Sequence, residues 1–160
     1  MINVTELKQN QESEIWAHNL TKIYGKGENA VKAVKGIDLL VKRGVHGFLG
    51  PNGAGKTTTM NMLIGAISIT KGKAFIKGKK AGSIEARKCI GFLPQNPKFD
   101  KNMTGERYLT YIGQMSGLKK NYSRKRAQEL LFELDLWDAR MRKIKNYSGG
   151  MQQKIGLASV

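Results

Sequence analysis

The stretch Gly50-Pro51-Asn52-Gly53-Ala54-Gly55-Lys56-Thr57-Thr58 satisfies the pattern G-x-x-x-x-G-K-[ST], and the rest of the chain is best read outward from it. A phosphate chain carries dense negative charge and needs many donors at short range. Glycines allow the backbone to curl so that successive amides point inward with no side chain in the way. A helix beginning near Lys56 adds the partial positive charge of its N-terminus. Lys56 supplies a full charge for β- and γ-phosphates, and the Thr57 hydroxyl is a ligand for Mg²⁺. A chain with 19 glycines and many lysines could match this pattern by chance. The flanks argue otherwise: residues 45–49 form an apolar run that reads as a strand, and residues 56–64 read as a helix. Strand, glycine loop and helix in that order open a parallel α/β unit.

Upstream, residues 1–14 read as a polar, mobile tail and residues 15–24 as a strand ending in the turn Gly25-Lys26-Gly27. Residues 30–41 give short β-prone pieces around Gly36, and Lys42-Arg43-Gly44 makes another turn. Downstream, residues 73–77 read as a strand closed by Gly78, and residues 90–93 as a short strand ended by Pro94. Beyond about residue 100 the pattern becomes helical. Thr104 is placed to cap a helix reaching Ser116, with Glu106 in its first turn and Gly117 as its stop. Ser123 is placed to cap the next helix, whose Ala127, Leu130, Leu131 and Leu134 share one face and read as core. The sequence shows no internal repeat and no low-complexity segment.

Composition sets the outer bounds. A chain of 160 residues, 40% apolar and 25% charged, builds one domain with a buried core and is neither disordered nor fibrous. No apolar run approaches the roughly 20 residues of a bilayer crossing, and the polar N-terminus shows no secretory pattern. The single cysteine, Cys89, excludes a disulfide framework and a cysteine-clustered zinc site. These features fit a reduced, cytosolic protein. The 28 basic and 12 acidic residues leave a net charge of +16, which suits polyanionic partners. The basic residues are nevertheless spread along the chain. Only Arg124-Lys125-Arg126 and Lys79-Lys80 cluster, without interleaved aromatics, so the charge suits a solvated lysine-rich surface equally well and is weak support for nucleic acid.

Three further elements follow the order of a known family. Tyr24 stands upstream of the glycine loop in Leu20-Thr21-Lys22-Ile23-Tyr24-Gly25. Gln95 follows Gly91-Phe92-Leu93-Pro94, and Tyr147-Ser148-Gly149-Gly150-Met151-Gln152-Gln153 opens a helix. Taken singly, these are a tyrosine at a strand end, a surface glutamine and a helix cap. Together with the glycine loop they resemble the ATP-binding domain of ATP-binding cassette (ABC) ATPases, particularly those that power membrane exporters. The resemblance runs from about Ile15 to Val160. It implies that Tyr24 stacks on adenine, that Gly50 through Thr58 form the Walker A loop, and that Gln95 approaches Mg²⁺ from the Q-loop. It also implies that Ser148, Gly149 and Gly150 bind the γ-phosphate of ATP held by a second cassette, in a head-to-tail dimer. Tyr147 stands where Leu is common, Met151 where Gln is common and Lys154 where Arg is usual, a flavour of the exporter-type members; Val45 stands where many relatives carry Glu.

The family pattern includes a Walker B strand with its Mg²⁺-binding Asp, an adjacent catalytic Glu, an Asp loop and a switch His, and none is found in these residues. Residues 130–135 imitate an apolar strand ending in acid, yet they precede the signature and lie on a helical pattern. His18 and His46 lie far upstream of the switch position. The expected fold is α/β: a P-loop NTPase core with an antiparallel β subdomain, an α-helical subdomain and an incomplete central sheet whose apolar strands face water. The expected division is a tail at 1–14, the nucleotide-binding core at 15–100, the helical subdomain at 101–148 and the signature helix at 149–160, with the chain ending before Walker B. The resemblance implies an ATPase subunit of an ABC transporter, with ATP and Mg²⁺ as cofactors and Lys56 and Gln95 as catalytic groups. A second cassette and a membrane-spanning permease are the implied partners, with the chain peripheral on the cytoplasmic face of the membrane. Lacking a group to polarise water, the 160 residues alone are expected to bind Mg-ATP weakly and not to hydrolyse it. Two other readings are a soluble ABC-type ATPase acting on ribosomes or nucleic acid and a non-catalytic nucleotide-sensing module.

Overall fold

Strand β1 (Ile15–Tyr24) sits inside a four-stranded antiparallel sheet in the computed structural model, which describes residues 13–160. Its apolar alternation is broken by Asn19, whose φ of 48° inserts a bulge. The bulge resets the side-chain alternation, so Ala17 and Leu20, three positions apart, both enter the core. Strand β2 (Val31–Val41) pairs along the whole of β1, from Tyr24 opposite Val31 to Ile15 opposite Val41. The short β-prone pieces expected around Gly36 thus form one strand, with Gly36 at φ 75° opposite the bulge. Strand β3 (Lys71–Ile76) lies on the other side of β1 and β4 (Lys79–Lys80) beyond it, giving the order β2-β1-β3-β4. Helix α1 (Lys56–Leu63) and the single turn α2 (Ile84–Arg87) complete this unit. Met62, Leu63 and Ala86 join Ala17, Leu20, Val34, Ala74 and Ile76 in its core.

The described chain falls into two compact units, one ending at Ile90 and the other formed by Gly91–Val160. The second contains α3 (Gly105–Met115), α4 (Lys120–Glu133) and α5 (Gly149–Ala158), with single 3-10 turns at Trp137–Ala139 and Ile144–Asn146. Leu109, Ala127, Leu131, Leu136, Ile144, Tyr147 and Ile155 are buried together, with Leu130 and Leu134 packed against them. Thr104 caps α3 as expected, its Oγ1 accepting from the Arg107 amide at 3.3 Å, and Gly117 at φ 90° follows the helix end. The Glu106 carboxylate, almost buried, accepts from Arg124 Nε at 2.9 Å and Gln128 Nε2 at 3.2 Å, with Arg140 Nε at 3.8 Å. One buried acid therefore ties α3 to α4 and to the turn that follows α4.

The structure corrects four readings of the sequence. Ser13 and Glu14 are tied to the end of the sheet: Ser13 is buried, the Glu14 amide donates to the Val41 carbonyl and the Glu14 carbonyl accepts from the Lys77 amide. The remainder of the supposed tail, residues 1–12, lies outside the described residues. Ser123 is no cap, because α4 starts three residues earlier and the Ser123 hydroxyl, buried, donates back to the Lys119 carbonyl at 3.0 Å. Residues 45–49 and 90–93 belong to no strand. A short strand of a parallel sheet needs a ladder partner for its amides and cover for both faces. Among the described residues the one sheet is antiparallel, in the order β2-β1-β3-β4, and residues 45–49 pair with none of its strands; Val45 and Leu49 stand at 104% and 91% exposure.

This difference is measurable by urea unfolding of the chain. Leu20→Ala, at a site with 0% exposure, is expected to cost about 2–5 kcal/mol. Leu49→Ser is expected to change stability by no more than about 0.5 kcal/mol; an equal cost for both would show that residues 45–49 are packed.

Candidate functional site

Helix α1 begins at Gly55, a left-handed N-cap with φ 84°. A Cβ there would lie 2.5 Å from the Ala33 carbonyl oxygen and 3.1 Å from Val34 Cγ2, so the absent side chain lets the loop press directly onto β2. The Thr59 amide donates to the Gly55 carbonyl at 2.8 Å as the first helical bond. The amides of Lys56, Thr57 and Thr58 precede it and have no intrahelical acceptor by helix geometry. Thr59 itself is buried, which plants the helix start in the core, while Thr57 is exposed and Thr58 half-buried. Gly50 opens the loop; Pro51, Asn52 and Ala54 line its outer edge, exposed, with the Ala54 amide donating to the Pro51 carbonyl at 3.2 Å. Gly53, at φ 82°, has nothing within 4 Å of the place a Cβ would take. Lys56 arches back over this curl, its Nζ donating to the carbonyls of Gly50 at 2.6 Å and Pro51 at 2.7 Å. The ammonium is therefore held at the mouth of the loop, beside the open first turn of the helix.

The same unit holds Tyr24 at the last position of β1, 44% exposed. Lys22, two residues earlier on the same strand, places its Nζ 5.1 Å from the centre of the Tyr24 ring. Lys22 was not among the residues singled out from sequence, because a lysine within a strand carries no signal of burial.

The second unit holds the other residues. Gln95 is exposed in a bend after Pro94. Ser148 is the N-cap of α5 and its Oγ accepts from the Met151 amide at 3.3 Å. A Cβ on Gly149 or Gly150 would meet nothing within 4 Å, so packing within the chain gives no reason for two bare glycines at this helix start. Tyr147, noted above as a departure from Leu, is buried and its hydroxyl donates to the Ala139 carbonyl at 2.9 Å. Burial pushes its phenol pKa up, since the interior disfavours the phenolate, with Arg142 pulling weakly the other way. Gln152 Nε2 donates to the Tyr147 carbonyl at 3.1 Å, so the cap is braced from both sides. Lys154 reaches Asp135 at 3.5 Å, an exposed pair of small energetic consequence. Each unit thus presents one open helix start led by glycine, α1 in the first and α5 in the second.

Known proteins with similar sequence and fold share one family. The profile of the ABC transporter family matches residues 34–160. A Bacillus subtilis protein described as the uncharacterized ABC transporter ATP-binding protein YxlF is 45% identical over 111 residues, covering 69% of this chain and 37% of the relative. The doxorubicin resistance ATP-binding protein DrrA of Mycobacterium tuberculosis is 37% identical over 153 residues, covering 94% of this chain and 46% of the relative. Among solved structures, a dimeric post-hydrolysis state of an ATP-binding cassette bound to ADP and Pi superposes with a TM-score of 0.75 at 28% identity, covering 91% of this chain and 68% of that one. The chain spans less than half the length of the curated relatives it matches. The α/β reading, with antiparallel strands in one unit and helices in the other, is the fold of these cassettes.

Tyr147→Phe is expected to lower the unfolding free energy by about 1 kcal/mol at neutral pH, since the Ala139 carbonyl loses one of its two donors and keeps the Arg142 amide at 2.9 Å. The raised phenol pKa adds a pH dependence. Above about pH 10 the unfolded chain releases the Tyr147 proton while the folded chain retains it, so stability falls with rising pH. Urea titrations at neutral and alkaline pH should show this component in the natural chain and not in the Phe variant.

Proposed function

This chain belongs to the ABC transporter family, and from that premise we propose that it is the ATP-binding part of a transporter subunit. The observation that carries the reading is the start of α1: open amides at Lys56–Thr58, a bare Gly53 and the Lys56 ammonium all converge on one loop mouth. Such a constellation suits the phosphate chain of a nucleotide. The loop residues Gly50, Pro51, Asn52, Gly53, Ala54, Gly55, Lys56, Thr57 and Thr58 hold the phosphates, with Tyr24 as the platform for adenine.

Among the described residues no group of three or more His, Cys, Asp or Glu side chains could hold a metal ion. Mg²⁺ fits the remaining donors: a hard cation takes oxygen ligands, keeps several waters and accepts phosphate oxygens. The exposed Thr57 hydroxyl is the side chain of the first unit assigned to it, and the exposed Gln95 of the second unit is assigned to it by the family resemblance alone. Bound there, the ion neutralises charge on the β- and γ-phosphates. Lys56 does the same from the protein side, and the α1 amides orient the chain of phosphates.

In the second unit, Ser148, Gly149 and Gly150 are assigned to the γ-phosphate of a nucleotide carried by a second cassette, head to tail. The bareness of the two glycines supports this, as does the dimer seen in a related cassette with ADP and Pi. ATP hydrolysis is the activity of the family, and the two cassettes would couple it to movement of a membrane-spanning permease. No helix among the described residues is long and apolar enough to cross a membrane, so the association with the cytoplasmic face is assigned to contact with that permease. Within the 160 residues no side chain is assigned to polarise the attacking water, and the proposal for this polypeptide by itself is weak binding of Mg-ATP with negligible turnover.

Calorimetric titration with Mg-ATP tests the reading: Lys56→Ala is expected to weaken binding at least tenfold, about 1.4 kcal/mol. Phosphate release by residues 1–160 should stay at background. Steady release that Lys56→Ala abolishes would overturn the assignment of inactivity, and undiminished binding by that variant would overturn the assignment of the loop.

A further inference from the structure

Lys22 is 8% exposed, and among the described residues no carboxylate pairs with it. Its Nζ donates to the Ser68 carbonyl at 2.7 Å and to Ser68 Oγ at 3.3 Å, and lies 5.1 Å from the centre of the Tyr24 ring. Burying an ammonium against neutral acceptors is unfavourable unless they solvate it well. A neutral donor would serve if the only task were to tie β1 to the segment after α1. That tie is in any case made nearby without charge: the Thr70 amide donates to the Thr21 carbonyl at 3.0 Å and the Ile23 amide to Thr70 Oγ1 at 3.1 Å. The charge therefore has another object within reach, and the object is the aromatic ring.

We infer that Lys22 is a positioning residue for base recognition: it holds the Tyr24 ring by a cation–π contact so that the ring is already set to stack on a purine. The inference rests on the reading of Tyr24 as the adenine platform. Tyr24 is the last residue of β1 and is 44% exposed, so packing leaves its ring rotamer freedom. A cation fixed near the ring restricts that freedom before ligand arrives, and the ordering cost of stacking falls accordingly. The fixing is itself secured by Ser68, which lies in the segment leaving α1. One end of α1 thus presents the phosphate loop while the residues beyond its other end hold the lysine that orients the platform. Lys22 touches neither phosphate nor base in this arrangement and acts through Tyr24 alone.

The test is a double-mutant cycle on the 160-residue chain, with Mg-ATP and magnesium tripolyphosphate as separate probes and thermal unfolding recorded for every variant. Tyr24→Ala is expected to weaken ATP binding and leave tripolyphosphate binding unchanged. Lys22→Gln keeps a donor for Ser68 and removes the charge; it should weaken ATP binding about threefold, the scale of an exposed cation–π contact, without touching tripolyphosphate. In the Tyr24→Ala background Lys22→Gln should have no further effect, and Lys22→Arg should restore most of the loss. Equal weakening of both probes by Lys22→Gln would make it a scaffold residue and overturn the inference. Loss with Tyr24→Ala but none with Lys22→Gln would also overturn it, leaving the platform intact. No loss of ATP binding in Tyr24→Ala would remove the platform reading and the inference with it. If Lys22→Gln fails to fold, the comparison of Lys22→Arg with Lys22→Met decides by the same criteria.

Discussion

The contact between Gly55 and the backbone of β2 is the constraint on which the loop depends. A side chain at position 55 would meet the Ala33 carbonyl oxygen at 2.5 Å, so only glycine allows the loop to lie against the sheet. That contact sets where α1 starts and hence where its open amides face. The far end of the helix is pinned independently by Met62 and Leu63 in the core. Burying two such side chains contributes about 1.5–3 kcal/mol each, which exceeds what one helix-end anion interaction contributes, about 0.3–2 kcal/mol. The orientation of the amides is therefore fixed by packing before any ligand binds, as electrostatic recognition by backbone dipoles requires.

The two helix starts to which phosphates are assigned are capped differently. At α1 the cap is Gly55 in the left-handed region, which offers no side chain and leaves the first-turn amides unmatched. At α5 the cap is Ser148, whose oxygen already accepts from the Met151 amide. A serine hydroxyl accepts through its lone pairs and donates through its single proton. In capping its own helix Ser148 uses only the acceptor side, so the proton stays available to a phosphate oxygen alongside the amides of Gly149 and Gly150. A threonine, asparagine or aspartate would cap the helix as well, but aspartate would set a negative charge where a phosphate is to arrive. Tyr147 supports this arrangement from below through Ala139, so the cap rests on a buried aromatic ring.

The parts of the molecule legible in the sequence are those determined by local pattern. The strand over residues 15–24, the helix after Lys56, the Thr104 cap and the Gly117 stop all follow from spacing and cap chemistry, and the structure has each of them. What escaped depends on partners distant in the chain. The bulge at Asn19 answers to β2 and β3, not to its neighbours in sequence. Residues 45–49 have strand composition, but a strand exists only where another strand pairs with it. Ser123 looks like a cap because serine favours caps, and the position it occupies was decided by Lys119 and by packing of α4. Tyr147 appeared as a mere departure from Leu because its value lies in a carbonyl eight residues away. The candidate site follows the same rule: the glycine loop and the Ser-Gly-Gly cap are local motifs, whereas the lysine behind Tyr24 is visible only once β1 is folded beside Ser68.

The lysines of the first unit show why net charge alone says little about binding. Lys22 and Lys56 are both held by carbonyl oxygens of the chain itself, at 2.6–2.7 Å. Lys22 is buried, and its ammonium is held by the carbonyl and hydroxyl of Ser68. Lys56 sits half-exposed over the curl of the loop, and its two acceptors are neutral carbonyls. A phosphate offers it a charged acceptor, and such bonds are roughly twice as strong as neutral ones. Exchange of one set for the other is favourable, and because the chain already holds the ammonium at the loop mouth, little side-chain entropy remains to be lost when the anion arrives. The bonds that Lys56 makes to Gly50 and Pro51 thus serve the site as a cocked position: weak enough to be given up, strong enough to keep the charge where it is needed.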